Sequence, residues 1–302
     1  MADSMETRNE FSKGWTILFA GVLGVACGAS PLPFNVVGFT VEPMIAEFGW
    51  SRTQILFPIT IFGVIAALLA PFFGSLADKY GVRKVALYSL LAFGLSFAAI
   101  SLTPTAKASS TLYIYYALWV VVGLIGIGST PVSWSRAINL WFYNHRGLAL
   151  GILLLGTSFA AIVVPKLAVW AIENYGWREM FAIVAILPLA IALPIGYFLF
   201  REPRPEERPK AILSESGNLT GVTLGGAFIN MPAMLSDRGL DAQTAASVMG
   251  VLGLGIFAGR LITGALLDRF WQGFVAFPLL CLPALSCYLL LGDTIVFPTA
   301  AL

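Results

Sequence analysis

Nine apolar stretches follow one another along this chain, at 15–39, 53–73, 85–102, 111–138, 147–172, 180–200, 218–236, 243–267 and 274–291. At 1.5 Å per residue, a run of ~20 residues crosses the ~30 Å hydrocarbon core of a bilayer. Inside that core every backbone N–H and C=O must be bonded within the protein, which helices achieve locally. The pattern therefore predicts an all-α polytopic membrane helical bundle. Charged residues make up only 11% of the chain and hydrophobic ones 58%, with a mean hydropathy of +0.84, whereas soluble domains carry roughly 25% charge. The polar segment 1–13 leads into an apolar run too long for a signal-peptide core, so that run is read as an uncleaved first span.

The cations fix an orientation. With the N-terminus inside, 11 Lys and Arg fall on internal segments and 4 on external ones. The positive-inside rule then places the N-terminus in the cytoplasm, and the membrane expected is the plasma (inner) membrane. The net charge of +2 gives no reason to expect a nucleic-acid partner. The partners expected are the lipid bilayer and a small-molecule anion, and a partner chain stays open. Cys27, Cys281 and Cys287 all lie in apolar runs with no metal-ligand spacing, and neither metal nor cofactor is expected.

A short polar, basic stretch, Gly74-Ser-Leu-Ala-Asp78-Lys79-Tyr80-Gly81-Val82-Arg83-Lys84, separates the second and third apolar runs. A degraded copy, Gly264-Ala-Leu-Leu-Asp268-Arg269-Phe270, separates the eighth and ninth, 190 residues later. Two copies in matching contexts indicate two related halves. The Pro-rich, charged segment from Arg201 to Lys210 follows six spans and reads as the connection between them. The expected organisation is a six-helix bundle over 1–200, a cytoplasmic linker over 201–217 and a partial second bundle over 218–302. The same offset maps Leu302 onto Leu112, at the start of the fourth span, and leaves the seventh span short at its beginning. The expectation is about nine spans of a twelve-span plan.

The motif Gly74-x-Leu-x-Asp78-Lys-x-Gly81-x-Arg83-Lys84 resembles the loop between helices 2 and 3 of the major facilitator superfamily (MFS), and Gly264–Phe270 resembles its weaker copy between helices 8 and 9. Glu47-Phe-Gly-Trp-Ser-Arg52, the segment Trp141–Gly151 and Tyr175-Gly-Trp-Arg178 together resemble the monocarboxylate and oxalate–formate-like organic-anion branch. The resemblance implies an MFS-type fold with a complete six-helix N-terminal half, a partial C-terminal half and a central cavity opening to alternate sides. It also implies conformational latch loops built on Gly74, Asp78, Gly81, Arg83 and Lys84, and on Gly264, Asp268 and Arg269. In the family the first latch works partly against a helix that has no counterpart before Leu302.

No enzyme constellation is present. The one histidine, His145, stands in an internal loop. In a membrane protein the informative residues are ionisable groups inside spans, which cost several kcal/mol to bury alone. Three occur, all cationic: Arg136, Lys166 and Arg260. Arg260 lies eight residues before Asp268, ~12 Å along the helix, just after a Gly255-xxx-Gly259 step. Its guanidinium suits two-point binding of a carboxylate; bonding to backbone carbonyls or reaching the inner surface is the other reading. The organic-anion branch has an arginine at this place, which the resemblance carries onto Arg260. Lys166 reads first as snorkelling to the outer headgroups, and Arg136 first as pairing with a loop acid or a headgroup. Asn35, Tyr115 and Asn230, with Trp119, are neutral polar residues that complete a candidate substrate site.

No Asp or Glu lies well inside a span, so no proton carrier is evident. The expected function is secondary transport of a small mono- or dicarboxylate, by exchange or by symport using an acid elsewhere. The alternative is a truncated, non-transporting remnant or a membrane binding or scaffold protein.

Overall fold

The computed structural model of this protein describes residues 2–142, 145–203 and 242–269. The expected seventh and ninth spans, Asn230, and the linker beyond residue 203 lie outside the described residues. All regular elements among the described residues are helical. They are α1 (Ala2–Ala26), α2 (Pro31–Val36), α3 (Val41–Phe48), α4 (Arg52–Tyr80), α5 (Val82–Ala99) and α6 (Ser109–Gly126). Then come α7 (Pro131–Asn139), α8 (Arg146–Tyr175), α9 (Trp177–Ile186), α10 (Leu193–Leu199) and α11 (Ala242–Arg269).

Among these residues, Arg52–Tyr80, Val82–Leu102, Ser109–Asn139, Arg146–Tyr175 and Trp177–Leu199 are each long and apolar enough to cross a bilayer. A sixth crossing forms if Glu10–Ala26 and Pro31–Phe48, bent by 45°, count together. This is a multi-pass membrane protein. In α11 the shorter segment Ala246–Arg260 is apolar.

The expected loop between the second and third spans is instead mostly helix. α4 continues through Asp78 and Lys79 to Tyr80, and α5 begins at Val82. Polarity marks where a helix leaves the hydrocarbon, not where it ends, and Lys79 in the last turn complements the helix dipole. The reversal is confined to Gly81, whose φ of 91° suits glycine and strains other residues. The second copy behaves likewise: Gly264, Asp268 and Arg269 all lie on the helical backbone of α11.

The first and fourth spans are each broken. α1 stops at Ala26 and α2 starts at Pro31, while α6 stops at Gly126 and α7 starts at Pro131. Proline serves well as a first helical residue and badly as an interior one, so each break falls where the sequence permits a restart. The sixth span passes through a π-helical stretch, Leu187–Ala192, beginning beside Pro188.

The breaks separate two apolar cores. One is built on Phe93, Phe97, Trp119, Trp177 and Phe181. The other lies toward the N-terminal face and is built on Ile17, Trp134, Phe142, Leu153 and Phe200.

Candidate functional site

The two breaks meet. Spans one and four run antiparallel, with Phe142 against Gly14, Trp134 against Gly24 and Ser129 against Gly28. The Ala29 backbone N–H donates to Ser129 Oγ at 3.1 Å, and that hydroxyl donates to the Gly126 carbonyl at 2.7 Å. Trp134 Nε1 donates to the Ser129 carbonyl at 3.2 Å. Ser89 on α5 donates to the Ile125 carbonyl at 3.0 Å. Carbonyls and N–H groups released by the breaks are thus answered by side chains, as a buried backbone in lipid requires. Gly28 allows the approach: a Cβ there would lie 2.4 Å from the Ser129 carbonyl oxygen. The signal was present in the sequence as Gly28-Ala-Ser-Pro31 and Gly128-Ser-Thr-Pro131, 100 residues apart.

Arg260 lies on the face of α11 that packs on α8. Gly253 lets the helices close: its Cβ would meet Ile162 Cγ1 at 2.8 Å, and Phe257 meets Phe159 with ring centroids 5.7 Å apart. The close approach expected at the Gly255–Gly259 step falls at Gly253, because Gly259 faces open space. Half-buried Arg260 donates through Nη1 to the Leu154 carbonyl and to Thr157 Oγ1. Both acceptors are neutral.

The remaining candidates do not converge on it. Lys166 is exposed on α8, twelve residues past Leu154, ~18 Å along the helix. Arg136 on α7 forms a 2.7 Å ion pair with Asp78 Oδ1 and donates to the Gly74 carbonyl at 2.8 Å. A Cβ on Gly74 would lie 2.7 Å from Arg136 Nη2, so a larger residue there would displace the guanidinium. Tyr115 is fully buried and donates to the Ile55 carbonyl at 3.3 Å. Asn35 is buried; its Nδ2 donates to the Pro31 carbonyl at 2.8 Å. Among the described residues, Asn35 Oδ1, Trp119 Nε1 and Ser158 Oγ are buried without a hydrogen-bond partner. Ser158 adjoins Thr157, the partner of Arg260.

Each face carries its own charged fastening. On the N-terminal face, beside the Asp78–Arg136 pair, Glu202 Oε1 accepts the Arg83 backbone N–H at 2.7 Å. A Cβ on Gly81 would lie 2.8 Å from the same oxygen. Arg83 Nη2 donates to the Tyr197 carbonyl at 2.6 Å. Lys84 is exposed. On the opposite face, Arg178 donates to Glu47 at 2.8 Å, to the Thr103 carbonyl at 2.9 Å and to the Pro104 carbonyl at 3.2 Å. Trp177 Nε1 donates to the same Glu47 oxygen at 2.8 Å. Sequence reasoning gave none of Glu47, Thr103, Pro104, Trp177 and Arg178 a role in holding spans together.

Comparison with known proteins adds an independent line. The family model described as Major Facilitator Superfamily matches residues 23–302. The chain is 26% identical over 194 residues to an uncharacterized MFS-type transporter, YcxA, of Bacillus subtilis, covering 63% of this chain and 45% of that one. It is 25% identical over 263 residues to the sialic acid transporter NanX of Escherichia coli, covering 78% of this chain and 61% of the relative. It is 25% identical over 205 residues to the multidrug export protein EmrB of Escherichia coli, covering 68% of this chain and 39% of the relative. The chain thus spans about half the length of these relatives.

Proposed function

This chain belongs to the Major Facilitator Superfamily, and on that premise we propose that it takes part in secondary transport of a small organic anion, a mono- or dicarboxylate, across the membrane by alternating access. One observation carries the substrate class. Arg260 is a half-buried cation whose recorded partners, the Leu154 carbonyl and Thr157 hydroxyl, are both neutral. A buried guanidinium gains most from a ligand that brings the missing negative charge and accepts two parallel N–H groups. A carboxylate does both. The name of one relative, a sialic acid transporter, is of an acid cargo; the multidrug export relative gives no such hint.

The paired breaks in spans one and four suit the conformational half of the proposal. Non-helical backbone at membrane depth is kept where it is enclosed by protein or lines a cavity, and broken helices are common at transporter sites. The two charged fastenings sit at opposite ends of the first six spans and hold them together, which suits a half that moves as one body.

The test is counterflow of radiolabelled mono- and dicarboxylates into liposomes holding the purified chain. Arg260→Ala abolishes carboxylate counterflow, and Arg260→Lys lowers it by about tenfold or more, because an ammonium lacks the planar fork. Unchanged counterflow in both variants would sink the substrate class.

A further inference from the structure

The outer surface between α5 and α10 holds a groove of about 940 Å³ with a charged mouth and an apolar floor. Arg83, Lys84, Arg201 and Glu202 stand at the mouth, and Leu91, Leu193 and Phe198 line the depth. A second groove of about 420 Å³ lies on the other side of α5, floored by Phe73, Leu76 and Leu124. The two share Tyr80, Lys84 and Tyr88. Lys84 and Tyr88 therefore form a ridge with a groove on each flank. Tyr88 is 71% exposed and Phe198 80% exposed, on a face that the described residues leave uncovered.

The mouth is organised, not a loose scatter of surface charge. The Arg83 guanidinium is held by the Tyr197 carbonyl at 2.6 Å and lies 5.7 Å from the Tyr197 ring centroid. Arg201 lies 5.0 Å from the Trp141 ring centroid, and its carbonyl accepts Trp141 Nε1 at 3.2 Å. Among the described residues the carboxylate at the mouth is Glu202, which accepts the backbone N–H of Arg83 in the first turn of α5. Among the described residues, Arg83, Lys84 and Arg201 line the mouth with Glu202, whose carboxylate is already engaged by a helix N-terminus, and this lining favours an anion. Tyrosines at the rim are the side chains that settle at the headgroup level of a bilayer.

We propose that this pair of grooves binds an anionic phospholipid from the leaflet on the N-terminal side. Its phosphodiester sits among Arg83, Lys84 and Arg201, and its acyl chains lie astride α5, one in each groove. From Arg83 to Leu91 the groove follows α5 for ~12 Å, most of the ~15 Å that one leaflet contributes to the hydrocarbon core. The apolar depth selects a lipid over free phosphate, which would use the mouth alone. The site is independent of the transported substrate, because it lies on the outside of spans three and six, away from Arg260.

The experiment uses the full chain in phosphatidylcholine nanodiscs doped with a phosphatidylglycerol carrying a photoactivatable acyl chain, with labelled peptides mapped by mass spectrometry. The expected label falls within residues 80–91 and 193–198 and exceeds that from the matching phosphatidylcholine probe about fivefold or more. Lys84→Gln and Arg201→Gln each lower the phosphatidylglycerol label, roughly fivefold per cation, and leave the phosphatidylcholine label unchanged. Equal labelling by the two headgroups overturns the proposal, and that comparison needs no variant to fold. Loss of the label to inorganic phosphate, at ionic strength matched with sodium chloride, also overturns it.

Discussion

Asp78 and Arg136, 58 residues apart in sequence, are joined by a 2.7 Å ion pair that ties the end of α4 to α7 on the N-terminal face. The pair is unequal. The Asp78 side chain is 71% exposed, whereas that of Arg136 is 28% exposed and also bonds the Gly74 carbonyl. An exposed ion pair contributes only about 0.5 kcal/mol after solvent screening. The bond to a part-buried carbonyl is worth more, about 1–2 kcal/mol when lost.

Asp78→Asn is therefore expected to cost about 0.5 kcal/mol and Arg136→Gln about 1–2 kcal/mol more, read as thermal unfolding of the detergent-solubilised protein. The double variant should lie close to Arg136→Gln alone, since that change already removes both contacts. Equal costs for the two single variants would show that the carbonyl bond contributes nothing.

Arg178 on the opposite face makes a different prediction. Its guanidinium reaches Glu47, Thr103 and Pro104 at once and stacks 4.3 Å from the Trp177 ring centroid. A lysine keeps the charge and loses the fork. Arg178→Lys should thus cost nearly as much as Arg178→Ala, within about 1 kcal/mol, from a total of about 2–3 kcal/mol. A lysine variant as stable as the parent protein would mean that charge alone does the work.

The contact between the breaks can be tested by adding one methyl group. Gly28→Ala places a Cβ 2.4 Å from the Ser129 carbonyl oxygen and 2.9 Å from the Gly24 carbonyl oxygen, both backbone atoms that cannot swing aside. Overpacking of this kind costs about 1–3 kcal/mol. Gly259→Ala, on a helix face with nothing within 4 Å, is the control. There the exchange favours helix by up to about 1 kcal/mol. Melting temperatures should move in opposite directions, and a stable Gly28→Ala protein would deny that the close approach is needed.

The spans were legible because burial in lipid imposes one rule on every residue of a run, and runs of apolar residues record it directly. Span ends were less so: Gly74 to Tyr80 looks like a loop by polarity, yet the helix persists once Arg136 answers Gly74 and Asp78. Arg136, a candidate substrate contact read first as the partner of a loop acid or a headgroup, pairs in the structure with Asp78. The breaks escaped a reading based on hydropathy because Gly28 to Pro31 and Gly128 to Pro131 are only mildly polar and do not interrupt an apolar run. Their 100-residue spacing was visible, but its meaning depended on Ser129 crossing to Ala29. The Glu47–Arg178 fastening spans 131 residues, and nothing local in either stretch names the other.

Thr157 gives the sharpest test of the proposed substrate contact. In this arrangement its hydroxyl and the Leu154 carbonyl hold the Arg260 guanidinium, and Thr157 Oγ1 also donates to Leu154 O at 3.2 Å. A carboxylate reaching Arg260 has to compete with these acceptors. Thr157→Val keeps the shape of the side chain and removes the competing oxygen. A hydrogen bond to a charged group is worth about 1.5–3 kcal/mol, so the carboxylate KM should fall about tenfold or more. The rate at saturating substrate should change little, because the variant alters the free site and not the loaded one. A rise in KM would mean instead that Thr157 holds Arg260 in the orientation that binds substrate, and would overturn the competition argued from this geometry.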